Sequence, residues 1–199
     1  MKIKQKKRDD ILGAAIEIFK EHSFSAARVD DIAERANVSK RTLYNHFVSK
    51  QALFDAIVEQ VLADVASIPV PEYQQKIPLR EQLIASLSSY ISIISDPNYI
   101  GLSRFLASEF MRDKELAKKI LTRPEFYTSP IIRIIEGAVI AGLLKATNPK
   151  DISDQLLALV KNYYFWPQFM IGEDTVQDEK MLEVCIDLIL TSYDLDVFA

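Results

Sequence analysis

Residues 29–54 read VDDIAERANVSKRTLYNHFVSKQALF, and no other stretch constrains the fold as tightly. Apolar positions recur at helical spacing on either side of Asn37, which predicts two short helices joined by a tight turn and a longer helix after them. The second helix is expected to open at Ser39 and to continue with Lys40 and Arg41, and the third, capped by Ser49, to begin with Lys50. A helix N-terminus carries a positive partial charge and free amide donors, so acids are its usual occupants. Cations there oppose the dipole at a cost of about 0.3–1 kcal/mol each, which makes sense where the helix ends face an anion. The anion expected is the DNA backbone.

Charge along the chain agrees. Residues 1–50 hold eleven Lys or Arg against seven Asp or Glu, a balance of +4, whereas 51–199 hold thirteen against twenty-one, a balance of −8. The basic end is the end with the motif, an asymmetry that bears on partners and steering but not on fold. The chain has 199 residues, 49% of them hydrophobic, enough for one or two domains with a proper core. With Cys185 as its one cysteine it forms no intrachain disulfide, and the start MKIKQKKRDD does not read as a signal peptide, so a cytoplasmic protein is expected. The most apolar run, 131–144, is broken by Arg133 and Glu136 and falls short of the roughly 18–20 residues of a membrane span, so no membrane partner is expected.

The segment DIAERANVSKRTLYNHFVSKQAL also resembles the helix-turn-helix signature of the tetracycline-repressor (TetR) family, dimeric one-component regulators that release DNA when a small ligand binds. The match covers roughly the first quarter of the chain, in line with the size of the motif. Where the family usually has Gly in the turn this chain has Asn37, the best non-glycine residue for a left-handed backbone position. Where the family usually caps the first short helix with Thr or Ser stands Arg28, which cannot accept a backbone hydrogen bond, so the start of that helix and any phosphate contact there are expected to differ. On this resemblance Arg28, Lys40, Arg41, Thr42, Tyr44, Asn45 and His46 belong to the surface that faces double-stranded DNA, with the N-terminal side chains of the second helix in the major groove. Ser39, Tyr44, His46 and Lys50 would bond phosphates. An ordinary solvated helix would explain Lys40 or Lys50 but gives no use to an exposed Tyr44 and His46. The run Lys2, Lys4, Lys6, Lys7 and Arg8 is either an arm over the DNA or a solvated tail, and His22 beside Glu21 is read as a surface histidine.

The whole chain reads as all-α: five glycines, no alternating polar and apolar strand segments, no internal repeat. A first helix is expected over 9–22, and Val29, Ile32, Ala33, Val38, Leu43 and Phe47 supply the apolar positions of a three-helix head at 1–48. Val48 and Leu53 are expected to staple the start of a connecting helix over 49–67, the first part of an effector-binding and dimerisation domain at 49–199. The segment PVPEYQQKIP cannot continue a helix and reads as a linker. Further helices are expected over 79–95, 97–111, 114–121, 125–145, 150–171 and 177–193, with Asp96, Asp113 and Asn148 as caps. Pro130 and Pro167 should kink or split the helices that hold them.

The last helix has an apolar arc too wide for one partner and is expected to be covered on more than one side. The resemblance implies a homodimer, because family members pack their last two helices into a four-helix bundle, and it places Leu182, Cys185, Ile186 and Ile189 in that interface. The resemblance also places a ligand pocket among the central body helices. Tyr163, Trp166 and Met170 share a helical face around Pro167, and Tyr99, Phe105, Tyr127 and Arg133 are further candidates. These aromatics either line a cavity for a largely apolar small-molecule effector or form core. Arg133 and Glu136 are polar anchors for such a ligand or a surface pair.

An enzyme is not expected. Two histidines and one cysteine leave no HExxH, no CxxC and no glycine-rich phosphate loop, so neither metal nor cofactor is expected. A helical, dimeric protein-interaction adaptor is the rival, but it leaves the cationic helix starts unexplained. The function expected is a homodimeric repressor released from a palindromic operator by a small, largely apolar ligand.

Overall fold

The computed structural model describes residues 2–124, 129–145, 148–172 and 179–193, and every regular element among them is an α-helix. In chain order these are α1 (Lys2–Ala26), α2 (Val29–Arg35), α3 (Lys40–His46), α4 (Lys50–Ala66), α5 (Leu79–Ile94), α6 (Pro97–Arg112), α7 (Lys114–Leu121), α8 (Ile132–Ile140), α9 (Pro149–Tyr164), α10 (Trp166–Ile171) and α11 (Glu179–Tyr193).

Local chemistry accounts for most of the boundaries. The Ser39 hydroxyl accepts the Thr42 amide at 3.1 Å, the Ser49 hydroxyl that of Ala52 at 3.1 Å, and Asp113 that of Leu116 at 2.9 Å. Asp96 accepts the amides of Asn98 and Tyr99 at 2.8 and 3.2 Å, and Asn148 that of Lys150 at 3.2 Å, with Pro149 in the first turn of α9. Each cap satisfies an otherwise orphaned donor, worth about 1 kcal/mol. Arg28 precedes α2 without a side-chain cap, as its chemistry requires, and Asn37 takes the left-handed conformation at φ 52.

Three expectations need correction. α1 begins at Lys2, not near residue 9, so the backbone of the basic N-terminal run is helical. Lysine and glutamine are good helix formers, and the Gln5 side chain donates to Asp9 one turn on at 2.8 Å. The first stretch of α1 ends at His22 as expected, where Ser23, at φ 66 and ψ 161, breaks the helix before a short run to Ala26. Val48 is 85% exposed while Leu53 is fully buried, so no hydrophobic staple forms and the Ser49 cap alone starts α4. The helix expected over 125–145 spans only Ile132–Ile140 among the described residues. Pro130 lies in the turn before it, and a left-handed Gly142, φ 74, follows its end. The helix expected over 150–171 is split, as Pro167 suggested, with the break at Phe165.

The chain divides into two compact units, Met1–Ala63 with Gly101–Arg123, and Asp64–Ile100 with Pro124–Ala199. The helix-turn-helix segment is therefore grouped with the second part of α6 and with α7. In this first unit Phe19, Phe24, Phe54 and Phe105 form a closed ring of aromatic contacts with centroids 5.1–5.7 Å apart. Such pairs add about 0.5–1.5 kcal/mol each beyond their buried area. The buried Glu109 carboxylate accepts the Phe24 amide at 3.2 Å and Arg112 at 2.9 Å, which satisfies the backbone just after the strained Ser23.

In the second unit α5, α8, α9 and α11 enclose a core of Leu83, Leu87, Ile134, Ile135, Ile152, Leu156, Val160 and Ile186. Gln82, itself buried, accepts the Gln74 amide at 2.8 Å and donates to the carbonyls of Gln74 and Ile77 at 2.8 and 2.7 Å. One side chain thus pins the proline-rich segment before α5. The Arg80 fork on α5 reaches Asp187 at 2.7 Å and Glu183 at 2.8 Å on α11.

Candidate nucleic-acid interface and ligand cavity

α3 is anchored on one side and open on the other. Leu43 and Phe47 are buried in the first unit, while Ser39, Lys40, Arg41, Tyr44 and Asn45 are exposed, Tyr44 at 42%. Thr42 and His46 are half-buried, and the Thr42 hydroxyl lies 2.9 Å from that of Ser39, which fixes the first turn. Guanidinium and amide groups of the kind exposed on this face can bond base edges in a major groove.

The cations expected at the two helix starts differ in their commitments. Lys40 pairs with Asp30 of α2 at 2.8 Å, and the hydrogen bond from Lys40, then its charge, hold the Asp30 carboxyl below the usual carboxylate range. Lys50 donates to the carbonyls of Ser25 and Ala27 at 3.1 and 3.0 Å and lies 4.9 Å from the Phe24 ring centroid. It ties the start of α4 to the end of α1, a role invisible in the sequence, and has one N–H left for a phosphate. Arg41 makes no hydrogen bond or ion pair among the described residues. Arg28 is exposed and close enough to Asp30 to lower that carboxyl further. His22 lies 3.7 Å from Glu21 at the surface, as expected. Arg8 stacks over Phe47 at 4.9 Å, which brings the end of the basic run of α1 to the end of α3.

Within the second unit a cavity of about 500 Å³ is bounded by Tyr90, Tyr99, Lys161 and Trp166, with Leu157 and Ala158 of α9 and the Lys150–Asp154 pair. Of the ligand candidates, Tyr99 and Trp166 therefore line a common hollow. The others do not join them. Phe105 belongs to the phenylalanine ring of the first unit. Arg133 is an exposed partner of Glu72 at 2.7 Å, which leaves Glu136 exposed without it. Tyr163 and Met170 are exposed, as Trp166 is, but lie outside the lining of this hollow. Tyr127 lies outside the described residues. Sequence reasoning missed Tyr90, Lys150, Asp154 and Lys161; a lysine spaced one turn from Leu157 was the available signal. Burial pushes the Lys161 ammonium below its ordinary pKa, against an opposing pull from Asp154, and burial beside Tyr99 pushes the Tyr90 phenol up.

The expected dimer residues need correction. Leu182, Cys185, Ile186 and Ile189 are all within the protomer's own core, none more than 6% exposed. The arc of α11 is indeed wide, but its free part is carried by Val184 and Leu188, each 56% exposed, with Met170 and Ile171 of α10 exposed as well. Periodicity gives the width of an apolar arc and not which part of it meets the home core.

Anchored α3 with its polar outer face defines a helix-turn-helix protein. Residues 11–57 match the family described as bacterial regulatory proteins, tetR family, and 81–194 match the AefR-like transcriptional repressor C-terminal domain. The chain belongs to the TetR family of transcriptional regulators. Homodimers and release from DNA by ligand are general in that family. A TetR family regulator of Pseudomonas syringae pv. tomato has a similar structure at a TM-score of 0.80 and 30% identity, over 96% of this chain and 97% of that one. The regulator RutR of Escherichia coli K12 is 29% identical over 87% of this chain and 82% of its own length. The transcriptional activator FasR of Mycolicibacterium smegmatis is 26% identical over 66% of this chain, which spans 60% of the length of that relative. No described helix is long and apolar enough to cross a membrane.

Proposed function

We propose that this protein is a cytoplasmic, homodimeric repressor that binds a palindromic operator through α3 and is released by a small, largely apolar effector held in the α9 cavity. The observation that carries the reading is the division of α3 into a buried face, Leu43, and an outer face where Arg41, Tyr44 and Asn45 are exposed. Arg41 is placed to read a base edge, Ser39, Tyr44 and His46 to position the helix on phosphates, and Lys40 to exchange Asp30 for a phosphate. The exposed apolar groups of α10 and α11 supply the dimer face, so that two heads engage half-sites about 34–36 Å apart or a multiple. Ligand would favour a body conformation that mismatches this spacing, a coupling of typically about 1–3 kcal/mol. The test is selection of bound sequences from a random duplex pool at two salt concentrations. A palindrome of two equal half-sites is expected; salt-sensitive background binding with no enriched sequence would refute a sequence-specific regulator.

A further inference from the structure

Among the described residues, the charged groups that line the α9 cavity leave one positive charge in excess. Its charged border consists of Lys150, Asp154 and Lys161, all on α9. Asp154 is bonded to Lys150 one turn before it, and both are exposed. Lys161 is partly buried and makes no hydrogen bond or ion pair among the described residues. Among the described residues the lining therefore carries one surplus positive charge, on the member least reached by water. A partly buried ammonium that no hydrogen bond satisfies is costly, and one that borders a cavity suits an anion bound there.

The rest of the lining says what must accompany the anion. Trp166 and Tyr99 offer ring faces or edges, Leu157, Ala158 and Val65 offer apolar contact, and the buried Tyr90 offers a phenol. At about 500 Å³ the hollow has the size range of small-molecule sites. One surplus charge suits a monoanion, whereas a phosphate dianion would leave a negative excess against apolar walls.

We propose that the effector is an organic acid, with an aromatic or alicyclic body against Trp166 and Tyr99 and a carboxylate on the Lys161 ammonium. This rests on the reading of the cavity as the effector site and names the class of ligand. The depressed pKa of Lys161 has the sign expected of an ammonium short of solvent and partner, and a carboxylate would raise it again.

The test is calorimetric titration of the full chain with three matched probes: biphenyl-4-carboxylate, biphenyl-4-carboxamide and 4-(aminomethyl)biphenyl. The acid is expected to bind about 10–100-fold more tightly than the amide, as a charge-assisted contact implies, and the amine not measurably. Lys161→Gln should bring acid and amide within about twofold, and Lys161→Arg should retain most of the preference. Trp166 is the chain's one tryptophan, so a fluorescence change with acid places binding at this cavity. Equal binding of acid and amide, binding of none of the probes, or a preference that survives Lys161→Gln would overturn the proposal. Circular dichroism of each variant checks that it is folded. An operator selected from the random pool with no acid preference removes the acid site and keeps the regulator; acid preference with no selected sequence does the reverse.

Discussion

Replacing Lys50 by alanine separates two roles that one side chain combines. Its ammonium donates to the carbonyls of Ser25 and Ala27 and lies over Phe24, so the truncation leaves two acceptors unpaired at the end of α1 and removes a cation–π contact. Charged hydrogen bonds are worth about 1.5–3 kcal/mol and an exposed cation–π contact about 0.5–1. The Ser25 carbonyl is exposed and regains water, which recovers much of the loss there. A net destabilisation of about 1–2 kcal/mol remains, or roughly 2–8 °C in Tm for a chain of this size. The remaining N–H, if directed at a phosphate, adds about 0.9 to the slope of log affinity against log salt for each protomer. Thermal denaturation and operator titration at several salt concentrations read the two effects separately. Lys50→Ala is expected to lower Tm and flatten the slope together, whereas Lys50→Arg preserves both. A weaker complex with an unchanged slope would show that Lys50 acts on DNA only by fixing α4 against α1. An unchanged Tm would refute the tie.

Arg41→Ala should cost about 1–3 kcal/mol and relax preference at one operator position, because Arg41 has no internal partner to lose among the described residues; competition binding that shows equal loss on all sequences assigns it to the backbone instead. Leu188→Glu puts a charge on the free face of α11 and should shift the protein to monomer in sedimentation without unfolding it, since Leu188 is 56% exposed; an unchanged dimer would move the interface elsewhere. A Cβ at Gly137 would collide with the Tyr73 Cβ, so Gly137→Ala should destabilise by about 1–3 kcal/mol although alanine is the better helix former, and a raised Tm would contradict that packing. Lys161 has a folded pKa below the ordinary 10.5, so its charge penalises the folded state fully below that folded value and the penalty is relieved as pH rises towards 10.5. Lys161→Gln should therefore raise Tm near pH 7 by an amount that shrinks in alkali, and a gain independent of pH would exclude the charge as its cause.

The parts of this molecule legible in its sequence are those decided within a turn or two of chain. Ser39, Ser49, Asp113 and Asn148 cap where they were expected because a short polar side chain meets an amide two or three residues on. Asn37 takes a left-handed turn for equally local reasons. What required the fold is everything that depends on a distant partner. Phe105 reads as a pocket aromatic until Phe19 and Phe54 are found against it. Lys50 reads as a phosphate contact until the end of α1 is found beneath it. The partly buried Lys161 and the free Leu188 belong to the same limit, because helical periodicity does not say which neighbour lies along each side of an apolar arc.

Charge on the recognition surface bears on why two copies are needed. The first turn of α2 carries Asp30 and Asp31, the first of these pairs with Lys40, and Lys50 is largely committed to α1 carbonyls. The field that a single head presents to DNA is thus weaker than its lysines and arginines suggest, and the sequence-independent part of its affinity is correspondingly small. Specific binding by one head then rests on a few side chains of a seven-residue helix, each bidentate contact worth about 1–3 kcal/mol. That is too little for an operator complex of ordinary strength, and a second head makes the next binding event intramolecular, which multiplies affinity by about 10²–10⁴ without any new contact. On this argument the apolar groups of α10 and α11 are part of the DNA-binding machinery: a monomer made by Leu188→Glu should retain the base preference of Arg41 but lose tight operator binding.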